Sequence, residues 1–146
     1  MTIAGSGPDE EFLRDTLTGY GNRVRFIQYE ADESLQIHSE QHIAVVPTLG
    51  SEGTSLSLLE AMSAQCATVS TDIGGLSNIV IDGYNALYTE PNSVDLARKI
   101  QLLIDDEMLR EQIARRAYDT VRYGFSYETW TKRWRSLIEE MMEVNS

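Results

Sequence analysis

Two glutamates, Glu52 and Glu60, stand on either side of a stretch rich in glycine, serine and threonine. The apolar run 43–46 before this stretch predicts a strand, and the pattern over about 54–64 predicts a helix. One side of that helix would carry Leu56, Leu59 and Ser63. The order is therefore strand, loop, helix, with one carboxylate before the helix and one inside it.

The loop has the composition of an anion-binding turn, because its glycines permit unusual backbone angles and Thr54 or Ser55 can cap the helix. Unpaired backbone amides at a helix start bind anions without any basic side chain. Glu60, four residues beyond the predicted core residue Leu56, would need hydrogen-bond donors, and the vicinal hydroxyls of a ribose or hexose suit it. The turn therefore predicts a sugar-phosphate cradle. The alternative is an ordinary α/β loop with a solvated surface glutamate.

The motif resembles the Glu-x7-Glu signature of the retaining family-4 glycosyltransferases, and it reads Pro47-Thr-Leu-Gly-Ser-Glu52-Gly-x5-Leu59-Glu60-Ala61-Met62. As in that family, a strand-like segment follows, and then Gly74-Gly75 and Asp82-Gly83-Tyr84-Asn85. The likeness extends from Gly5-Ser-Gly7-Pro8 to the final helix. It implies an α/β fold of GT-B architecture, with a Rossmann-like parallel sheet covered by helices on both faces.

The resemblance implies a role for each matching residue. Glu52 would be catalytic, contacting donor-sugar hydroxyls and stabilising positive charge at the anomeric carbon. Glu60 would hold the ribose. The amides near the sugar and the diphosphate would be those of Gly53, Thr54, Ser55 and Leu56. In the family the loop after Gln28 lies near the nucleotide base, which makes Tyr29 and Glu30 candidates for base contacts.

The expected activity is that of a hexosyltransferase in polysaccharide biosynthesis, moving a hexose from a UDP- or GDP-linked sugar to a glycan or lipid-linked acceptor. We expect no metal and no cofactor, since helix amides and basic side chains can neutralise the leaving diphosphate. The base, the sugar and the acceptor stay open.

The resemblance also implies missing parts. Family members have two α/β domains, and the donor-binding one begins with a strand, a Gly-rich loop bearing Arg and Lys, and a helix, none of which precedes Met1. We therefore expect residues 1–146 to be one donor-binding domain that lacks its first β-α unit, and to be inactive alone. The sheet would be rearranged, or a homo-oligomer or strand exchange would cover its exposed edge. The last helix, at about 127–142, would pack toward the missing N-terminal domain and leave a Trp exposed.

Composition limits the classes of function. Only 12 Lys and Arg stand against 23 Asp and Glu, and the net charge of -11 disfavours binding to nucleic acid and to anionic membranes.

The single cysteine, Cys66, excludes an internal disulfide and is expected to be buried. His38 and His42 lack a further ligand at metal spacing. With no signal peptide or bilayer-length apolar run, we expect a cytoplasmic protein, with a peripheral place at the inner membrane face open for the full-length chain.

Strands alternate with helices along the chain, which favours a parallel sheet. Met1–Ala4 is too short to indicate a strand by itself. The charge clusters Arg110-Glu111 and Arg115-Arg116 are typical of solvated helix faces. Predicted strands are 24–28, 43–46, 68–71 and 86–88. Predicted helices are 9–18, a short one containing Leu35 and Ile37, 54–64, 78–81, 93–104, 106–123 and 127–142.

Departures from the family pattern keep two alternatives open. The family usually has other residues at Thr54, Ser55, Gln65, Ala67, Asn78 and Ala86. Gln65 stands where a glycine would end the helix, at a cost of about a kcal/mol if the left-handed conformation is needed. One alternative is a non-catalytic interaction or scaffold domain with the same fold. The other is a different Rossmann-type nucleotide binder that uses Gly5-Ser-Gly7-Pro8 as its phosphate loop.

Overall fold

A computed structural model describes residues 1–144 of the chain, which form two compact units, 1–34 and 35 onward. Each unit contains parallel strands connected through helices, as the alternating sequence pattern predicts. Among the described residues, no helix combines the length and the apolar character needed to cross a bilayer.

The first unit is a two-stranded parallel sheet with one helix. Strand β1 (Thr2–Ala4) pairs with β2 (Arg25–Ile27), and α1 (Glu10–Leu17) connects them. The short β1 forms because backbone bonds flank it: the Arg25 amide donates to Met1 O at 2.9 Å, and the Gly5 amide donates to Ile27 O at 2.9 Å. Pairing with β2 therefore creates a strand that local sequence alone does not indicate.

The second unit is built on the parallel sheet β3-β4-β5. Its strands are β3 (Ile43–Val46), β4 (Ala67–Thr71) and β5 (Leu87–Thr89), and all five residues of the central β4 are buried. Its helices are α2 (Ser34–Ser39, which begins at the unit boundary), α3 (Leu56–Ser63), α4 (Ser93–Asp105), α5 (Glu107–Thr120) and α6 (Tyr127–Val144).

Two apolar clusters form the core of the second unit. Leu58 and Met62 of α3 pack with Leu76 and Ala117, whereas Val69 of β4 packs with residues of α4 and α5, chiefly Leu103 and Ile113. Helices therefore cover both faces of a parallel sheet, and the Rossmann-like fold class is confirmed.

The strand order does not show the rearranged sheet expected from the sequence. A doubly wound sheet has the order 3-2-1-4-5-6, and the observed neighbours β2-β1 and β3-β4-β5 correspond to its places 3-2 and 4-5-6. Within each unit, every two neighbouring strands are joined by their own crossover connection, so this order forms inside each unit. Coverage of the free edges by another chain stays a prediction.

The structure corrects sequence predictions in the second unit. The short helix expected at 78–81 is instead a 3₁₀ turn, Gly74–Asn78, because the chain must turn immediately after β4. Arg110 is not a solvated charge: its side chain is only 17% exposed and pairs with Glu107. It also donates to Leu103 O at 3.0 Å and so joins the start of α5 to the end of α4. Arg116, 4.6 Å from the Tyr84 ring centroid, is likewise half-buried.

Candidate functional site

The helix that carries Glu60 starts later than the sequence predicts. Helix α3 begins at Leu56, and the Ser55 side chain caps it by accepting a hydrogen bond from the Leu58 amide. This start directs Leu58, Ala61 and Met62 into the core. The prediction that Leu56 is a core residue is therefore wrong, because Leu56 is 70% exposed at the first position of α3.

Glu52 is half-buried in the loop between β3 and α3, and the end of β4 holds this loop in place. The Thr48 hydroxyl donates to Glu52 Oε2 at 3.2 Å, and the Thr71 hydroxyl donates to Thr48 O at 2.7 Å. The Gly75 amide donates to Glu52 O at 2.9 Å. A carboxylate bonded in this way has a fixed position before any ligand arrives.

Two glycines permit this arrangement because no side chain fits between the two loops. A Cβ atom at Gly75 would lie 2.1 Å from Gly53 O, and one at Gly74 would lie 2.4 Å from Glu52 O. Gly74 also has a φ of +58°, in the left-handed region. In the sequence, only the family resemblance drew attention to the Gly74-Gly75 pair. In the structure, the backbone of this pair packs directly against the backbone of the Glu52–Gly53 segment.

Glu60 lies in the second turn of α3 and is half-buried. Its electrostatic neighbour is His38 of α2: burial lowers the pKa of the His38 imidazole, and the charge of Glu60 opposes that shift. His38 Nε2 is buried and has no hydrogen-bond partner among the described residues. Sequence reasoning missed this neighbour, since the interaction joins residues of two different helices.

The predicted amide donors surround the start of α3. Gly53 and Thr54 are exposed, Ser55 is buried as the cap, and Leu56 is exposed. The structure therefore brings Glu52, the candidate amides and Glu60 together in one strand-loop-helix segment. The positive end of the helix dipole and the backbone amides at the start of α3 make this segment suited to an anion.

Tyr29 and Glu30 belong to the first unit, where they line a cavity of about 380 Å³. The other lining residues are Gly5, Ser6, Gln28 and Glu33. The side chain of Glu30 accepts from the Glu33 amide, and the Glu30 amide donates to Glu33 Oε2 at 3.0 Å. The Glu30 carboxylate thus has a local role in capping the 3₁₀ turn Ala31–Glu33, which leaves the Tyr29 ring as the stronger candidate for a base contact.

The segment Asp82-Gly83-Tyr84-Asn85 has a structural role. Asn85 is fully buried; its Oδ1 accepts from the Ile81 amide at 2.7 Å, and its Nδ2 donates to Ile79 O and to the Thr120 hydroxyl, both at 3.0 Å. Asp82 accepts from the Tyr88 amide at 2.8 Å. These bonds fix the connection from the glycine turn to β5 and α5.

Cys66 is buried, as the sequence predicts, and is a free thiol. Burial raises its pKa to about 11, so the thiol stays protonated at neutral pH. Its Sγ donates to His38 O at 3.2 Å, which connects the start of β4 with α2.

Comparison with known proteins places these features in a family. Residues 1–120 match the family model of the glycosyl transferases group 1. An uncharacterized glycosyltransferase of Methanocaldococcus jannaschii is 34% identical over 113 residues, which are 77% of this chain and 32% of that protein. The chain spans about a third of the length of the curated relatives it matches.

Solved structures agree with the fold. The C-terminal domain of LpcC, a glycosyl transferase group 1 family protein from Francisella tularensis, is 29% identical with a TM-score of 0.73, covering 84% of this chain and 66% of that one. Anabaena HepE in complex with UDP-glucose has a TM-score of 0.82 at 23% identity, covering 95% of this chain and 40% of that one. With the family model matching most of its length, the chain belongs to the group 1 glycosyl transferases.

Proposed function

We propose that this chain is the donor-binding part of a retaining glycosyltransferase that takes a hexose from a nucleotide-diphosphate sugar. One observation carries the proposal: Glu52 and Glu60 flank the capped start of α3, with candidate amide donors between them. A diphosphate would be held by those amides, as anions commonly are at helix starts. The net charge of -11 makes such local backbone donors more important.

Each carboxylate has a separate task in this proposal. Glu60 accepts hydrogen bonds from the ribose hydroxyls and therefore contributes equally to nucleotide and to nucleotide sugar. Glu52, fixed by Thr48 and by the backbone contact with Gly75, contacts hydroxyls of the donor sugar. As the bond to the diphosphate breaks, its negative charge stabilises positive charge at the anomeric carbon.

The acceptor and the transfer step belong to the whole protein, because this chain spans only about a third of its curated relatives. The acceptor would be a glycan or a lipid-linked sugar. We expect the chain alone to bind donor but not to transfer sugar, since the acceptor side and a basic clamp for the diphosphate lie outside it. Sugar transfer by the isolated chain would contradict this expectation.

Calorimetric titration of the chain with UDP, GDP and ADP tests the proposal, and HepE, solved with UDP-glucose, makes UDP the first choice. Glu60→Gln should weaken nucleotide binding about tenfold, or about 1.4 kcal/mol. Glu52→Gln should leave UDP binding unchanged and weaken UDP-glucose binding. Glu111→Gln, at an exposed position of α5, is the matched control.

These titrations test the ribose role of Glu60 and the sugar role of Glu52 independently. If a folded chain binds none of the nucleotides, either the upstream strand and its basic loop carry the affinity or the scaffold alternative, which the unusual Thr54 and Ser55 favour, replaces the donor-binding proposal. Titration of a longer chain that includes the upstream residues distinguishes the two. If nucleotide binds but Glu60→Gln behaves like Glu111→Gln, the ribose role of Glu60 is wrong. Equal loss of UDP and UDP-glucose binding in Glu52→Gln would remove the sugar role of Glu52.

A further inference from the structure

Two threonine hydroxyls connect the buried strand β4 to the Glu52 carboxylate. Thr71, the last residue of β4, is 1% exposed, and its hydroxyl donates to Thr48 O at 2.7 Å. The hydroxyl of Thr48, which is half-buried, donates in turn to Glu52 Oε2 at 3.2 Å. A threonine hydroxyl has one proton to donate, so both protons are committed to this series. Glu52 is thereby connected to the core of the second unit by two successive hydrogen bonds.

Thr48 and Gly75 hold different parts of Glu52. The Gly75 amide donates to Glu52 O and therefore fixes the backbone of the loop. That contact leaves the side chain free to rotate, and ordering a glutamate side chain costs conformational entropy. The Thr48 hydroxyl is the group that orders the carboxylate before a ligand binds. Thr71 in turn holds the backbone of Thr48, from which that hydroxyl extends.

The bond from Thr48 also distinguishes the two oxygens of the Glu52 carboxylate. Oε2 is already engaged, which favours Oε1 as the acceptor for a ligand hydroxyl. The sugar of a nucleotide sugar supplies such hydroxyls, whereas a nucleotide diphosphate alone has no sugar group to place there. Ordering of Glu52 should therefore favour the nucleotide sugar and leave the affinity for the nucleotide unchanged.

We propose that Thr48 and Thr71 are positioning residues for the donor sugar. Thr71 fixes the backbone of Thr48, and the Thr48 hydroxyl holds Glu52 Oε2 so that Oε1 meets a sugar hydroxyl. This inference rests on the proposed function, in which Glu52 contacts the donor sugar. The bond of 3.2 Å is longer than is usual between two oxygens, and such bonds often shorten when the ligand binds.

Calorimetric titration of the 146-residue chain with UDP and with UDP-glucose tests the proposal. Thr48→Val removes the hydroxyl and should weaken UDP-glucose binding about fivefold, with UDP binding within about twofold of the unchanged chain. Thr48→Ser keeps a hydroxyl and should restore the affinity. Thr71→Val should have the same selective effect, about threefold in size. Ser51→Ala, which removes an exposed hydroxyl from the same loop, is the control. If GDP binds instead of UDP, GDP and GDP-mannose replace this pair of ligands.

A double-mutant cycle separates positioning from direct contact. In the Glu52→Ala background there is no carboxylate to position, so Thr48→Val should change UDP-glucose binding less than about twofold. A Thr48 hydroxyl that itself contacted the sugar would cost the same affinity in both backgrounds. Circular dichroism and urea unfolding would verify that each variant is folded under the conditions of the titration.

Equal loss of UDP and UDP-glucose binding in Thr48→Val overturns the proposal, and so do additive effects in the cycle. If Glu52→Gln weakens UDP-glucose binding but Thr48→Val behaves like Ser51→Ala, the positioning role is wrong and the sugar role of Glu52 stands. If Glu52→Gln leaves UDP-glucose binding unchanged, the sugar role itself fails, and the positioning role falls with it. A folded chain that binds neither nucleotide nor nucleotide sugar overturns both roles for this chain.

Discussion

The backbone of Gly75 lies directly against that of the Glu52–Gly53 segment: its amide donates to Glu52 O at 2.9 Å, and its Cα faces Gly53 O. The turn after β4 thereby fixes the loop after β3. Neighbouring strands of a parallel sheet end at the same edge, and Val46 is in register with Ser70, so both loops emerge side by side. The position of the candidate catalytic carboxylate is thus set by a contact between two loops.

Gly75→Ala should disrupt that contact. The new Cβ would lie 2.1 Å from Gly53 O, and a backbone atom cannot give way as a flexible side chain can. We expect a loss of stability of about 1–3 kcal/mol and nucleotide binding weakened with it. Urea unfolding and calorimetry measure the two effects. Gly19→Ala, whose Cβ would meet nothing within 4 Å, should change neither, and equal effects of the two substitutions would contradict the steric explanation.

Gln65→Gly should stabilise the protein. Gln65 has a φ of +61° directly after α3, where the Cys66 amide bonds to Ala61 O at 3.0 Å and the Gln65 amide bonds to Met62 O at 3.1 Å. These two bonds define a Schellman helix end, in which the left-handed residue is usually glycine. Removing the side chain should add about 1 kcal/mol to the free energy of unfolding in urea. The same change at Gln101, inside α4, should instead subtract about 1 kcal/mol. Equal signs would show that backbone strain at residue 65 is negligible.

Patterns along the chain predicted most elements, because helix and strand periodicities are local properties. Residues 93–104 and 127–142 were expected to be helical, and α4 and α6 lie there. At Gln65 the family resemblance indicated a glycine position that would matter if the backbone were left-handed, and the structure shows a φ of +61° there. Leu56 was misplaced because a short helix offers two apolar faces, and only the Ser55 cap and the sheet decide between them.

The interactions around the candidate site could not be predicted in this way. The hydrogen bond from Thr71 to Thr48, and the electrostatic interaction of Glu60 with His38, join residues far apart in the chain. They depend on strand register and helix packing, which local patterns do not specify. The sequence thus indicated which residues carry chemistry but not which neighbours hold them.

Asn85→Ala should be strongly destabilising. Asn85 is fully buried, and its removal leaves the Ile81 amide, Ile79 O and the Thr120 hydroxyl without that partner. Buried polar groups that lose a partner cost about 1–3 kcal/mol each, so we expect a total loss of about 3 kcal/mol in urea unfolding. Asn22→Ala, at an exposed position, should stay within about 0.5 kcal/mol of the unchanged chain. A small effect of Asn85→Ala would mean that water replaces the amide.

The His38 imidazole should make stability depend on pH. Burial lowers its pKa in the folded chain below the usual 6.5, so the unfolded chain binds this proton more strongly. The His38 contribution is therefore fully present above pH 6.5 and is lost as pH falls from there through the lower folded pKa. Because Glu60 opposes the shift, Glu60→Gln should steepen this loss, whereas His38→Gln should remove it. Thermal unfolding midpoints of the three proteins, compared between neutral and mildly acidic buffer, measure the effect. His42→Gln provides the matched control. If His38→Gln retained the full pH dependence in that window, the slope would belong to other groups, and His38 would not be the buried neighbour of Glu60 that titrates.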